Sequence, residues 1–185
     1  MSLNIPNILT LMRVVLIPIM MFSFYVLPGS LANYATVIIY ALASITDWLD
    51  GFLARRLNQT SDFGKFLDPV ADKLIVSVAL VMLAGHHASW VFVLPASIIV
   101  GREITISALR EWMADIGQKT QVAVSTIGKI KTAAQMLAIG FLLYEQPIGD
   151  FPVDVAGLIL LYAAAILTLW SMFIYLKASW DVMIK

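Results

Sequence analysis

Two stretches, Asp47-Trp48-Leu49-Asp50-Gly51-Phe52-Leu53-Ala54-Arg55 and Gly64-Lys65-Phe66-Leu67-Asp68-Pro69-Val70-Ala71-Asp72, decide how the chain is read. On a helix, positions 47, 50, 51 and 54 share one face, and so do 64, 68 and 72. The stretches belong to apolar runs of membrane-spanning length, roughly residues 33 to 54 and 67 to 85, joined by a short polar loop. Neighbouring helix ends of this kind bring Asp47, Asp50, Asp68 and Asp72 together. Carboxylates at the edge of hydrocarbon are expensive and by default mark a functional site.

Composition explains the setting. The 185 residues are 61% apolar and only 13% charged, and the mean hydropathy is +0.88. One soluble core cannot hide that much apolar surface, so the chain reads as an integral membrane protein. Twelve basic residues balance twelve acidic ones, which leaves no basic footprint for nucleic acid. The absence of cysteine excludes disulfides, thiolate metal sites and a cysteine nucleophile.

Four more runs, roughly 8 to 28, 90 to 110, 122 to 144 and 154 to 177, complete an expected all-α bundle of six transmembrane helices forming a single domain over residues 1–185. Pro28-Gly29-Ser30, the polar gap His86-His87-Ala88-Ser89, and Gln146 to Asp150 with Pro152 supply the turns. The run Val14 to Leu27 superficially resembles a cleavable signal peptide, but Met1 to Thr10 carries no Lys or Arg, so a retained first helix is expected. Six spans put both termini on one side, with the connections around 55 to 66 and 110 to 131. All 12 Lys and Arg fall on that side or in its half of a helix. The fifth connection holds Glu145, Asp150 and Asp154 and no basic residue. The positive-inside rule then makes the basic side, and the aspartates with it, cytoplasmic.

Four carboxylates cannot all stay ionised side by side without cations, and an all-oxygen set suits Mg²⁺ or Mn²⁺ better than zinc. Gly51 and Ala54 clear the carboxylate face for a close approach, and Arg55 follows one turn beyond Gly51, placed to meet a phosphate. Metal, small residues and a guanidinium together suit pyrophosphate chemistry. Interfacial ion pairs with Arg55, Arg56, Lys65 and Lys73 are the plainer explanation of the aspartates, but such pairs require no regular spacing.

Position for position, Asp47, Asp50, Gly51, Ala54, Arg55, Gly64, Asp68 and Asp72 resemble the signature of the CDP-alcohol phosphotransferases. The resemblance covers essentially the whole chain, six-span layout included. It implies displacement at the phosphate of a CDP-linked lipid or alcohol, with CMP released. Asp47, Asp50 and Asp68 would hold a two-metal centre together with Asp72, which would also be the general base. Gly51, Ala54, Arg55 and Gly64 would line the CDP site. Asn7, Thr10 and Arg13, a stripe at i, i+3 and i+6, would help close it, although a helix cap and a snorkelling arginine explain them too. Family members work as homodimers, and a homodimer is expected.

The shared signature leaves the acceptor open among glycerol 3-phosphate, serine, inositol phosphate and phosphatidylglycerol. Arg102 and Arg110, about two turns apart in the fourth span, and Lys129 and Lys131, opening the fifth, put cations in one layer. Buried positive charge needs partners, which predicts an anionic acceptor held by those four residues. The strings Arg102 to Glu111, Gly128 to Thr132 and Asn4 to Arg13 look like the bacterial branch of the family that joins CDP-diacylglycerol to glycerol 3-phosphate. That resemblance implies a multi-pass enzyme of the bacterial inner membrane. Lys119, Lys177 and Lys185 read as snorkelling residues, and His86 and His87 as loop residues on the far side. A small cation transporter would also carry intramembrane aspartates, but it would place them near the midplane, in broken and repeated helices.

Overall fold

The computed structural model describes residues 5–57, 62–117 and 126–183. They form six helices: α1 (Ile5–Val26), α2 (Gly29–Leu57), α3 (Asp62–His87), α4 (Trp90–Asp115), α5 (Thr126–Tyr144) and α6 (Val153–Met183). Among the described residues the one departure from helix and turn is an isolated bridge between Ile148 and Phe151, in the turn before α6. The all-α expectation holds; the α1–α2 and α5–α6 breaks fall at Pro28-Gly29 and at Pro147 to Pro152, and α3 and α4 part at Ala88-Ser89. Gly29 adopts φ +55° at the α1–α2 reversal, a conformation that costs glycine little. Ser89 caps α4, its hydroxyl accepting from the Val91 amide at 3.4 Å.

Residues 7–26, 29–47, 90–115 and 153–180 are long and apolar enough to cross a membrane, and α5 adds a shorter apolar stretch, 130–144. α6 shows why: Leu161, Ala164 and Ala165 are buried, yet Ile159, Ile166 and Phe173 on the outer face are exposed. A helix apolar on every side is stable only where its outer face also avoids water. The protein is a multi-pass membrane protein.

Helices α2 and α3 run further than the expected spans of 33 to 54 and 67 to 85. Hydropathy ends at the first charges, whereas helical backbone keeps satisfying its own hydrogen bonds into the polar layer. Positions 47 to 55 therefore ride the last turns of α2 and positions 64 to 72 the first turns of α3.

α3 is central, packing against α1, α2, α4 and α5, while α6 closes the bundle against α4 and α5. Met20, Ala43, Leu80, Leu83, Ile99, Ile139 and Leu161 form the apolar core. At the α5–α6 crossing a Cβ on Gly157 would lie 2.9 Å from Leu142 Cγ, so only glycine permits that approach. The far end of α3 is fastened by His86, whose Nε2 stands 3.6 Å from Glu145 Oε1, and by His87 stacked on Phe92. Both histidines thus sit at the opposite end of α3 from its aspartates, as expected, but in the last turn of the helix rather than in a loop.

Candidate active site

The start of α1, the end of α2 and the start of α3 come together, and the stripe on α1 faces the aspartates. Asn7, Thr10 and Arg13 are all buried, Arg13 completely. Thr10 Oγ1 donates to Asp68 Oδ1 at 2.5 Å. One guanidinium nitrogen of Arg13 lies 2.9 Å from Asp47 Oδ1 and 3.9 Å from Asp72 Oδ1. Arg13 is therefore not a snorkelling side chain. It holds carboxylates of two helices; of the cations weighed for the aspartates, Arg55, Arg56 and Lys65 have side chains outside the described residues. Lys73, one of the cations weighed for them, donates to Ser107 Oγ on α4.

Gly64 is buried on α3. Asp50, Gly51, Ala54 and Arg55 lie on the last turns of α2, and Lys129 on the first turn of α5; their side chains lie outside the described residues. Among the described residues no three acidic or histidine side chains close into a metal-holding group. The donors present are nonetheless carboxylate oxygens, with no nitrogen or sulfur among them. Asp47 and Asp72 are 35% and 49% exposed and already share one positive charge. That chemistry fits a hard divalent cation.

The second half of the site is built by α4 and α5. Glu103 Oε1 accepts from Lys131 Nζ at 2.8 Å and from Arg102 Nη1 at 3.0 Å. Arg102 Nη2 reaches across to Ser171 Oγ on α6 at 3.2 Å. Lys131 is 6% exposed, so its charge is compensated inside the bundle by Glu103. Arg110 instead lays its guanidinium over the Tyr175 ring of α6, 5.3 Å from the centroid. The structure thus joins Arg102 and Lys131 and gives Arg110 a separate aromatic partner.

The two halves meet in a cavity of about 90 Å³ lined by Asp72, Lys73, Glu103, Lys131, Thr132 and Gln135, among others. Sequence reasoning missed Glu103 and Gln135 as members of the site. Glu103 was visible only as the neighbour of Arg102, and Gln135 follows Lys131 by one helical turn, a signal that many non-functional residues share. Beside this cavity an apolar groove of about 400 Å³ runs between α2 and α5, lined by Val37, Tyr40, Ile45, Met136, Leu137 and Phe141.

Residues 3–170 match the family model described as CDP-alcohol phosphatidyltransferase. The chain is 54% identical, over all 185 residues and the full length of both proteins, to a CDP-diacylglycerol--glycerol-3-phosphate 3-phosphatidyltransferase of Yersinia pestis (strain Pestoides F). It is 52% identical over 179 residues, 97% of this chain and 96% of the relative, to a protein of the same description from Escherichia coli (strain K12). With carboxylates and cations on facing helices, and a family model covering most of its length, the chain belongs to the CDP-alcohol phosphatidyltransferase family.

Proposed function

We propose that the protein transfers the phosphatidyl group of CDP-diacylglycerol to glycerol 3-phosphate, giving phosphatidylglycerol phosphate and CMP. The observation that carries this is the convergence of Lys131 and Arg102 on one oxygen of Glu103, which lines the same cavity as Lys131 and Asp72. A buried lysine on the cavity wall, with Arg102 beside it on the same Glu103 oxygen, suits an acceptor that is anionic at one end and a hydroxyl at the other. The names of the relatives in Yersinia pestis and Escherichia coli support the same acceptor.

Asp72 takes the proton of the acceptor's primary hydroxyl as that oxygen bonds to the phosphorus carrying diacylglycerol. The bond from this phosphorus to the CMP oxygen breaks, and CMP leaves with the electron pair. Lys131 and Arg102 bind the acceptor phosphate and so fix the distance from its far hydroxyl to Asp72. Arg13 holds Asp47 and Asp72 in register across α2 and α3. Mg²⁺ or Mn²⁺, which Asp47, Asp50, Asp68 and Asp72 would hold, supplies neutralisation of the diphosphate charge. Gly51, Ala54, Arg55 and Gly64, with Asn7 and Thr10, would receive the nucleotide, and Arg110 and Lys129 would add to the acceptor's field. The apolar groove between α2 and α5, one turn from Asp47 at Ser44, suits an acyl chain of the donor.

The distribution of Lys and Arg supports a bacterial inner-membrane location with both termini and the aspartates cytoplasmic. A homodimer belongs to the same reading and rests on the family resemblance. An acceptor screen tests the function: purified protein with CDP-diacylglycerol and Mg²⁺ should release CMP with glycerol 3-phosphate. Turnover with serine, inositol phosphate or phosphatidylglycerol in its place would reassign the acceptor.

A further inference from the structure

α3 carries Val76 one turn past Asp72, and α5 carries Gln135 one turn past Lys131. Both helices run inward from the end that bears the aspartates. Val76, Gln135 and Met136 therefore form the inner end of the cavity whose outer end is Asp72, Glu103 and Lys131. At that inner end Gln135 is the polar group. It is 5% exposed, and its Oε1 is buried with no hydrogen-bond partner among the described residues. A buried amide oxygen left unpaired is costly, and Val76 and Met136 offer it no donor. A ligand entering the cavity can supply one.

We propose that Gln135 is a specificity-determining residue whose side-chain amide holds the C2 hydroxyl of the acceptor. This role rests on glycerol 3-phosphate being that acceptor. With its phosphate on Lys131 and its C1 hydroxyl at Asp72, the molecule lies along the outer end of the cavity. The carbon between them then carries the one remaining polar group, and the inner end is where that group finds a partner. The amide oxygen accepts from the hydroxyl, and an acceptor lacking the hydroxyl leaves the amide as it is in the empty site. Binding sites built around a substrate hydroxyl reject the analogue without it far more strongly than apolar pockets reject a missing methylene.

The test compares sn-glycerol 3-phosphate with 3-hydroxypropyl phosphate, which has the phosphate and the primary hydroxyl but no C2 hydroxyl. CMP release is measured in detergent micelles at saturating CDP-diacylglycerol and Mg²⁺, for the wild type and for Gln135→Met, which keeps the length of the side chain and removes the amide. The wild type should prefer glycerol 3-phosphate by about tenfold or more in kcat/KM, the scale of one well-made hydrogen bond. Gln135→Met should use the two acceptors within about twofold of one another, with the KM for CDP-diacylglycerol unchanged. Its thermal unfolding should not fall below that of the wild type, since no internal hydrogen bond of Oε1 is removed. Gln135→Leu provides the same comparison if the Met variant folds poorly. A variant that keeps the wild-type preference, or loses both acceptors equally, overturns the role of Gln135 and leaves the acceptor assignment standing. A wild type that ignores glycerol 3-phosphate and turns over another acceptor overturns both.

Discussion

Arg13 carries a full charge at a fully buried position, and its partners are unequal to it: Asp47 is 35% and Asp72 49% exposed. Replacing it with Met preserves the stem and deletes the charge, leaving the carboxylates to repel one another. At an effective dielectric of about 20, unit charges at the Arg13–Asp47 separation attract by about 6 kcal/mol. Burial of the guanidinium and access of water to both carboxylates offset most of that attraction. A coupling of about 2 kcal/mol between Arg13 and Asp47 should remain, toward the upper end of what contacting groups show.

The assay is a double-mutant cycle of Arg13→Met and Asp47→Asn in mixed micelles with EDTA, so that no divalent cation substitutes for the guanidinium. Unfolding by added dodecyl sulfate is followed through tryptophan fluorescence. Arg13→Met should cost about 3 kcal/mol, as breaking a buried pair does. Once Asp47 is already neutral the same change should cost about 1 kcal/mol. Arg13→Lys should restore part of the loss, because one ammonium cannot present the guanidinium's fork to carboxylates on two helices. Losses that add to within about 0.5 kcal/mol would refute the pairing and return Arg13 to a packing role.

Asp72→Asn should lower CMP release by at least about 100-fold while leaving unfolding close to wild type, and equal turnover would remove the base assignment. Chelation with EDTA should abolish activity, and Mg²⁺ or Mn²⁺ should restore it; activity that survives exhaustive chelation would contradict the carboxylate-held cation. Lys131→Met should raise the KM for glycerol 3-phosphate by about tenfold or more with the KM for CDP-diacylglycerol unchanged, read from CMP release as each substrate is varied. Gly157→Val should cost about 1–3 kcal/mol in the same unfolding assay, because its side chain would enter the space of Leu142 and Phe141.

The six helices were legible because apolar runs and the turn residues between them act locally, with Pro and Gly marking the α1–α2 and α5–α6 breaks and the polar run His86 to Ser89 marking the α3–α4 break. The ends of α2 and α3 were less so: charge density at 47 to 57 and 62 to 72 lowers hydropathy without interrupting backbone hydrogen bonding. Spacing on one face of each helix was enough to single out Asp47 and Asp50 on α2 and Asp68 and Asp72 on α3. Arg13 was harder, because its partners lie on other helices, and the period of the Asn7, Thr10, Arg13 stripe fits a capped, snorkelling helix equally well. Gln135 left no trace in the pattern at all. An amide one turn from a lysine becomes informative only once burial and the lack of a partner are known.

The place of Glu103 bears on why a phosphorylated acceptor suits this site. Lys131, on the cavity wall, and Arg102 beside it would repel each other in the empty protein, and Lys131 is too buried for water to screen it. Glu103 relieves that repulsion by accepting from both on a single oxygen. On the proposed function, the acceptor would not enter a vacant anion site; it would compete with a carboxylate already in position. A phosphate brings close to two negative charges and several acceptor oxygens, enough to engage Lys131 and Arg102 together. A zwitterion such as serine offers one carboxylate and carries its own ammonium toward those cations. On the proposed function, selectivity for the phosphorylated acceptor would arise from exchange against Glu103, and the residue that pairs both cations in the empty bundle would also be the one a weaker anion fails to displace.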